Sequence, residues 1–327
     1  MEDSRIQTIY ETIEFVSKVE ESQRQGGKFS KSFQTIHQLL HDKSKTDLSV
    51  PPDDANAISF RYTIPKEICM SAKTGRDLFS EVTLSALLSL FDEVTSWLIM
   101  SVDRRKRGGV SVALGCHLAE TNVAMPEAGD VVEILAKVDK IGRNLGFASF
   151  EARRVDTGQR ICIGYHTKFL PMGWLFETAM GPYLYPITRA AVMHFSSEKA
   201  ENGEGQSLSD LLKIGVINDN GTSDSTSSSS KYTFNITDDH WNAVGTLHGG
   251  CQAMIYEEVG RRIMQAECSA NSLSAADNNL LHLESIHIDY LTTESKGVTL
   301  DYGLFNIGIN RALMRVEMKS CNNGSKV

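Results

Sequence analysis

The chain repeats one structural plan, and this repeat limits its possible folds more than any other feature. Each half predicts a strand, then a long helix, then three or more strands. Several residues recur between the halves at a nearly fixed offset: Asp92-Glu93 matches Glu257-Glu258, Ile141-Gly142-x-Asn144 matches Ile307-Gly308-x-Asn310, Glu151 matches Glu317, and Gly158 matches Gly324. A sustained match of this kind indicates duplication of one domain. We therefore expect an α+β protein built from two related domains.

Composition shifts along the chain divide it into four segments. The Pro51-Pro52-Asp53-Asp54 run is a strong boundary signal. The stretch from Ser223 to Ser230 is rich in serine and predicts a flexible linker. The predicted segments are an N-terminal helical extension at 1–54, a first domain at 55–171, a linker at 172–230 and a second domain at 231–327.

The same patterns predict the elements of each domain. In the first domain we expect a helix at 82–100 and strands at 58–64, 110–118, 131–138, 147–154 and 160–170. In the second we expect a helix at 249–266 and strands at 231–236, 281–291, 298–306 and 312–320. The sequence ends at Val327, where the partner of the 160–170 strand would begin, so the last strand of the second domain is predicted to be missing.

Charge and cysteine usage exclude several function classes. The formal net charge of −8 argues against a nucleic-acid partner, because no broad basic surface offsets the acidic residues. No apolar run reaches about 18 residues, so no membrane span is expected. The six cysteines are irregularly spaced, which disfavours a zinc cluster, and we expect no metal. The N-terminus lacks a secretory pattern, so we expect a cytoplasmic protein, with a mitochondrial one as the alternative.

The tripeptide His248-Gly249-Gly250 is the strongest functional signal. It precedes an apolar, helix-like run that carries Glu257 and Glu258. A glycine pair that leads into a helix leaves backbone N–H groups free at the positive end of the helix dipole. Such an end can hold a carbonyl oxygen as it gains negative charge, and an acidic residue further along can act as base or nucleophile. The pattern favours acyl transfer.

These residues lie within a longer motif. Asn242-Ala-Val-Gly245-Thr-Leu precedes His248-Gly249-Gly250, and Glu257 follows nine positions after His248. The motif resembles that of the hotdog-fold thioesterases, specifically the PaaI-like group that includes the thioesterase superfamily member 2 (acyl-CoA thioesterase 13) type. The resemblance covers roughly 56–170 and 231–327. It implies a tandem (double) hotdog fold, in which each domain wraps an antiparallel sheet around a long helix, and an acyl-CoA substrate.

The first domain resembles the family at other positions. Gly109-Val110-Ser111-Val112 is similar to the strand that supplies the family's catalytic serine, and Asp92 matches its catalytic acid. Gly164-Tyr-His166-Thr167-Lys168 is similar to the family's last strand. The first domain nevertheless has Thr83 at the place of the motif histidine. Two further positions depart from the family: Asp77 replaces the asparagine, and Leu283 of the second domain replaces the serine.

The resemblance implies that each active site is built across a pair of domains. One complete site then combines Asp92 and Ser111 of the first domain with Asn242, His248 and Gly249 of the second. The opposite site would combine the degraded positions, which include Thr83 and Glu257, and could be a second or a vestigial site. Because the losses are complementary, we expect one working site per chain.

The resemblance also implies a role for each residue of the complete site. The Gly249 N–H would bind the thioester carbonyl oxygen, and Asp92 would act as general base or as nucleophile. Ser111 would hold the water or the carboxylate, and Asn242 would position the thioester or the water, unless it caps a turn. No organic cofactor is expected.

A basic cluster and several isolated residues complete the candidates. The cluster Arg104-Arg105-Lys106-Arg107 could bind the phosphates of coenzyme A, act as a nuclear signal, or form a solvated loop. Cys251 is expected to pack within its helix. The remaining strand histidines are expected to be structural: His117, His166 and His287.

The expected assembly is a homo-oligomer of double hotdogs. Two rival functions stay open at this point: a non-catalytic acyl-CoA-binding or scaffold protein, and a hotdog enoyl-thioester hydratase or dehydratase.

Overall fold

The computed structural model describes residues 2–22, 28–74, 77–120, 123–171, 173–181, 183–195, 206–217, 231–242, 245–270, 283–290, 297–307 and 312–321. The helices are α1 (Glu2–Ser22), α2 (Lys28–Phe33), α3 (Thr35–His41), α4 (Lys43–Thr46), α5 (Leu84–Val102), α6 (Trp174–Ala179), α7 (Tyr185–Phe195), α8 (Leu208–Leu211) and α9 (Gly249–Ala270). The strands are β1 (Ala57–Thr63), β2 (Cys69–Thr74), β3 (Asp77–Val82), β4 (Val110–Leu118), β5 (Val131–Ile141), β6 (Leu145–Arg154), β7 (Arg160–Phe169), β8 (Ile214–Ile217), β9 (Lys231–Phe234), β10 (Ser285–Asp289), β11 (Val298–Ile307) and β12 (Ala312–Ser320).

Helix α5 forms the centre of the core. Its side chains are apolar on nearly all faces, and it begins where the Thr83 hydroxyl accepts a hydrogen bond from the Ala86 N–H at 3.2 Å. The ring of Phe91 stacks on that of Phe150 in the surrounding sheet at a centroid distance of 4.0 Å. By length and composition α5 could cross a membrane, but 89% of the tested window is buried within the protein, as expected for a core helix.

The two halves are joined through both a sheet and a helix pair. The first sheet is antiparallel with the order β1-β5-β6-β7-β4-β10, so its sixth strand comes from the second half. In that junction Ser285 pairs with His117 and Asp289 with Ala113. Helix α9 packs on α5, where the Ser89 hydroxyl donates to the Gly250 carbonyl oxygen at 2.8 Å.

Strand order is nearly the same in the two halves. In the first half the long strands lie side by side in the order β1, β5, β6, β7 and β4, so the second long strand in the chain, β4, comes last in the sheet. The second sheet has the order β12-β11-β9-β8. Its strands β9, β11 and β12 correspond to β1, β5 and β6 of the first half, and β10 corresponds to β4. No described residue forms the fifth strand, whose place would lie between β12 and β10. Two complete hotdog domains therefore stay a prediction.

The α+β class, with a long helix against an antiparallel sheet, is confirmed. The structure differs from expectation in the interval 172–230, which was predicted to be a linker. It contains α6, α7 and α8, and β8 pairs with β9 at the edge of the second sheet. These segments are too short to show a clear period in sequence. The serine-rich stretch itself lies outside the described residues.

The N-terminal extension contributes to the core instead of lying apart from it. Ile9 and Ile13 of α1 are fully buried, as are Phe29 and Phe33 of α2. A helical extension was expected at 1–54, and α1 and α2 agree with it, but the burial of these side chains in the core was not expected. A short hairpin of β2 and β3 also was not anticipated.

The close contact of α5 and α9 generates a stability prediction for Gly250. A Cβ at this position would lie 2.6 Å from the Ser89 Cα, a backbone atom that cannot rotate away. Gly250→Ala should therefore lower the free energy of unfolding by about 1–3 kcal/mol, as overpacking usually does. Urea titration would measure this. Gly108→Ala is the matched control, because nothing lies within 4 Å of its added Cβ. Equal stability of the two variants would contradict the tight contact.

Candidate active site

Asp92 lies at the point where the two halves meet. It is on α5 and only 4% exposed. Its Oδ1 accepts a hydrogen bond from the Ser111 hydroxyl at 2.9 Å, within the first half. Its Oδ2 accepts one from the Gly250 N–H at 3.0 Å, at the start of α9 in the second half. The carboxylate of one half thus sits at the positive end of a helix of the other.

The glycine pair is required by this close approach. A Cβ on Gly249 would lie 2.9 Å from Asp92 Oδ2 and 3.0 Å from the Tyr290 hydroxyl. That hydroxyl donates to the Gly249 carbonyl oxygen at 2.9 Å, which fixes the first peptide of the helix. Gly249 is the first residue of α9, and the N–H groups of a first turn have no acceptor within their own helix.

His248 lies beside the carboxylate. Its Nδ1 accepts a hydrogen bond from the Gly250 N–H at 3.0 Å and lies 3.3 Å from Asp92 Oδ2. As an acceptor, Nδ1 has no proton, so the neutral ring carries its proton on Nε2. The ring also contacts Phe29, with a centroid distance of 5.2 Å. The N-terminal extension therefore forms part of the wall of this site.

His166 also belongs to the site, which corrects the expectation that this strand histidine is structural. Its Nε2 lies 2.9 Å from the Ser111 hydroxyl oxygen and 3.3 Å from Asp92 Oδ1. Its Nδ1 lies 2.6 Å from the Thr95 hydroxyl oxygen. That hydroxyl donates its own proton to the Phe91 carbonyl oxygen at 2.5 Å, so Nδ1 must be the donor toward it.

This arrangement leaves one proton for two acceptors. In the neutral ring with a proton on Nδ1, Nε2 of His166 carries a lone pair. The single hydroxyl proton of Ser111 therefore faces both that lone pair and Asp92 Oδ1. The cluster can accept one further proton and form hydrogen bonds with it.

Lys168 provides the positive charge of the site. It lies two residues after His166 on β7, so both side chains point to the same face of the sheet. Its ammonium group donates to the Ser96 hydroxyl at 2.6 Å, and the residue is buried. The signal in the sequence was the alternation of His166 and Lys168 in a strand that otherwise buries apolar side chains.

Burial and mutual charge set the protonation states. Burial opposes the ionised form of Asp92, but His248, His166 and Lys168, together with the hydrogen bond from Ser111, outweigh it and lower the pKa to about 2. Burial lowers the pKa of His166 to about 3, although Asp92 opposes this change. Burial also lowers the pKa of His248 and that of Lys168. At neutral pH the carboxylate is ionised and both imidazoles are neutral.

The opposite side of the helix pair has an analogous but poorer arrangement. Glu257 of α9 accepts a hydrogen bond from the Ser85 N–H at 2.9 Å, near the start of α5, where Thr83 is the cap. Burial raises the pKa of Glu257, with Ser85 and Thr83 opposing the rise through hydrogen bonds. Leu283, which stands for the serine, packs on the apolar core. The side chain of Asp77 lies outside the described residues.

Asn242 is held within its own turn. Its side-chain amide donates to the Thr246 hydroxyl at 3.0 Å, and its Oδ1 accepts from the Thr246 N–H at 3.2 Å. These contacts fit the turn-capping alternative, and its role toward a thioester stays a prediction.

The basic cluster is divided between core and surface. Arg107 is buried and paired with Asp103 at 2.8 Å, so it serves the structure of the loop. Lys106 donates to the Ser101 carbonyl oxygen at 2.9 Å. Arg104 and Arg105 are exposed. The structure therefore corrects the expectation that all four side chains could bind phosphate.

Two further expectations concern cysteine and metal. Cys251 is fully buried in α9, and burial raises the pKa of its thiol far above the usual range, which excludes a thiolate nucleophile. Within the described residues, no group of three or more His, Cys, Asp or Glu side chains could hold a metal ion.

Comparison with known proteins supports the fold. No family model and no curated protein matches this sequence. The structure is similar to that of a putative thioesterase from Novosphingobium aromaticivorans, with a TM-score of 0.52 and 12% identity over 85% of this chain and 94% of that chain. At this identity the likeness shows a shared fold and does not assign a family or the PaaI-like group.

Two other solved structures match less well. The zebra fish thioesterase superfamily member 2 has a TM-score of 0.31 and 22% identity, over 44% of this chain and 96% of that chain. The 12:0-ACP thioesterase from Umbellularia californica has a TM-score of 0.44 and 12% identity, over 83% of this chain and 91% of that chain.

The geometry around His166 predicts its tautomer. The ring should stay neutral, with the proton on Nδ1, when the pH falls from about 7 to about 5, because burial disfavours the charged form. Proton–nitrogen correlation NMR of ¹⁵N-histidine-labelled protein would show this, with His166→Gln used to assign the signal. A change to the imidazolium pattern near the ordinary histidine pKa of about 6.5 would contradict the assignment.

Proposed function

We propose that the protein hydrolyses acyl thioesters, with an acyl-CoA as substrate, at one composite site per chain. Asp92, Ser111 and His166 would come from the first half, and His248 with Gly249 from the second. The observation that carries the proposal is the 3.0 Å hydrogen bond from the Gly250 N–H to Asp92 Oδ2 across the two halves. It places an ionised carboxylate beside the helix start that would bind the thioester carbonyl.

The first amide of α9 would bind the carbonyl oxygen of the thioester. The Gly249 N–H lies at the positive end of a helix of 22 residues, where a developing oxyanion is stabilised. Because the site is buried, such a donor is effective: removing one oxyanion donor typically costs about 3 kcal/mol of transition-state stabilisation. Tyr290 supports the group by holding the Gly249 peptide.

The cluster around Asp92 would activate the attacking water. The carboxylate would accept a hydrogen bond from the attacking water and orient it toward the carbonyl carbon. With pKa values of about 2 for Asp92 and about 3 for His166, neither group is a strong base by itself, so proton uptake would depend on both acting together. The lone pair on His166 Nε2 would then receive the proton through Ser111, which already bridges the two groups. Positive charge formed on the imidazole would be stabilised by the carboxylate at 3.3 Å.

We favour water attack over direct attack by Asp92. Both carboxylate oxygens already accept hydrogen bonds, from Ser111 and from the Gly250 N–H. Formation of an anhydride would have to break at least one of these in a buried site, where an unpaired polar group costs roughly 1–3 kcal/mol. The free lone pair of His166 offers a route that keeps both.

Substrate entry would require movement of α2, which forms part of the wall of the site. Asp92 and His248 are buried, and Phe29 of α2 packs directly on the His248 ring. Helix α2 is short and is tied to the second half by an ion pair of Lys28 with Asp239 at 3.1 Å. Displacement of this helix would open the apolar side of the site to an acyl chain.

The opposite arrangement would be inactive. Glu257 has the helix start of α5 beside it, but no described residue takes the place of His166 or Lys168. Burial raises the pKa of Glu257 and so disfavours its ionised form, whereas the surroundings of Asp92 favour ionisation. The homo-oligomeric state and the cytoplasmic location stay predictions.

Isosteric substitution of the two acids tests the proposal. Asp92→Asn should lower kcat for acyl-CoA hydrolysis by about 10²–10⁴-fold, the usual contribution of a positioned acid or base, while leaving the fold intact. Glu257→Gln is the matched control and should retain activity within about twofold, since its amide oxygen can still accept from the Ser85 N–H. Thiol release over a panel of acyl chain lengths would measure both.

Three outcomes would contradict this assignment. A greater loss in Glu257→Gln would reverse the pairing of the halves. Loss of a double bond without free thiol would indicate a hydratase. Ligand binding without any turnover in the unsubstituted protein would indicate a scaffold.

The lowered pKa values also predict the pH dependence of hydrolysis. The active form needs Asp92 ionised and His166 neutral, and both states persist until the pH falls toward about 2 for Asp92 and about 3 for His166. The acid limb should therefore lie well below the ordinary histidine range, and kcat/KM should be nearly constant between about pH 5 and pH 8. A fall in kcat/KM centred near pH 6.5 would show that a histidine with an ordinary pKa controls the reaction.

A further inference from the structure

The segment that contains α6 and α7, residues 173–181 and 183–195, carries one set of buried apolar side chains and another set that is exposed. We call it the α6–α7 segment. On one side, Met180 and Tyr185 pack against Phe15 of α1, with ring centroids of the two aromatic residues 5.7 Å apart. Arg189 pairs with Glu14 at 2.8 Å on the same side. These contacts fix the segment on the body of the protein.

The other side faces solvent. It exposes Trp174 by 74%, Leu175 by 68%, Tyr183 by 91% and Ile187 by 67%. Exposure of one such residue is ordinary, but four on one short segment form a patch that marks a binding surface. The acidic and basic side chains of the segment, Glu177 and Arg189, are both paired, so the patch carries no unbalanced charge.

A basic groove adjoins this patch. Arg105 contacts Glu177 of the α6–α7 segment at 3.6 Å, which places the 104–107 loop beside it. A cavity of about 460 Å³ opens there, lined by Arg104, Arg105, Arg107 and Arg143 among others. Arg104, Arg105 and Arg143 are exposed. In a chain with a net charge of −8, this local positive charge stands out.

We propose that this surface docks the protein onto an anionic phospholipid bilayer. Trp174, Leu175, Tyr183 and Ile187 would enter the interfacial region, and Arg104 with Arg143 would bind lipid phosphates. Tryptophan and tyrosine beside aliphatic side chains are the composition that membrane interfaces select. Arginine next to them adds attraction to anionic headgroups.

A lipid surface fits these observations better than a second copy of the chain. A stable protein interface of ordinary size takes about 20–30 residues a side. The patch has few side chains, on helices of 6 and 11 residues, and is bordered by cationic groups that a second identical patch would repel. Docking of this kind is peripheral and differs from a membrane span.

Vesicle flotation of the full chain tests the proposal. The protein should float with vesicles of phosphatidylcholine and phosphatidylserine, and binding should fall at least about tenfold on pure phosphatidylcholine or at high salt, because screening weakens the attraction. Arg104→Gln/Arg143→Gln should weaken binding by roughly fivefold per arginine. On binding, Trp174 emission should shift to the blue, and Trp174→Phe should abolish the shift.

A matched pair of substitutions separates the patch from general surface apolarity. Leu175→Glu should reduce flotation at least about tenfold, because a charge at the interface opposes insertion. Leu313→Glu is the control: Leu313 lies on β12, is 65% exposed and should leave binding unchanged. Both residues face solvent, so neither change should disturb folding.

Several results would overturn the proposal. They are absence of flotation with anionic vesicles, equal loss of binding in Leu313→Glu, or binding that ignores both substitutions and salt. Sedimentation showing a dimer that Leu175→Glu alone converts to monomer would assign the patch to self-association instead.

Discussion

The structure depends on one buried charge, the carboxylate of Asp92. Removing a carboxylate from water costs several kcal/mol unless hydrogen bonds and nearby positive charge replace the lost hydration. Ser111, the amide of Gly250 and the charge of Lys168 provide that replacement here. The contributions of Ser111 and Lys168 require that β4 and β7 pack correctly on α5 within the first half. The hydrogen bond from the Gly250 amide requires that α9 of the second half reaches Asp92. Catalytic geometry and the packing of the halves are therefore the same constraint.

The glycine pair shows how local sequence serves this constraint. Any side chain at Gly249 would collide with the carboxylate, and any at Gly250 would collide with the backbone of Ser89. A helix that begins with two glycines is intrinsically poor in helix propensity. That cost is offset by contacts from outside the helix, including the Tyr290 hydroxyl. The residues of the proposed site are thus also residues at which the two halves approach closely.

Much of the fold could be read from periodicity, and much of the site could not. The strand at 110–118 and that at 312–320 were predicted to the residue, because apolar alternation marks them. The pairing of Asp92 with the glycine turn was predicted from the resemblance, and the Gly250 N–H lies 3.0 Å from Asp92 Oδ2. His166 was missed, because a lone strand histidine has no spacing that reveals a partner 71 residues away in the chain, Thr95. The contribution of α2 was missed because its two phenylalanines bury against residues far apart in sequence.

Residues 172–230 show a second limit of prediction from the sequence. Residues in β8 have no detectable alternation over four positions, and their strand conformation comes from pairing with β9. The α6–α7 segment has the opposite property. Its composition resembles that of a buried helix, but the fold covers only one of its sides, and sequence alone cannot say which side is left open.

The covalent link between the halves has a consequence for how such a site can change over time. In a symmetric homodimer every substitution occurs twice, so losing the acid from one site removes it from the other as well. Here Asp92 and Glu257 descend separately within one polypeptide, and each always meets the same neighbour. Substitutions at Thr83 in one half and at Leu283 in the other can therefore accumulate without changing the arrangement that contains Ser111 and His248. Under the proposed duplication, fusion turns a requirement shared by two identical subunits into a division of labour within one chain.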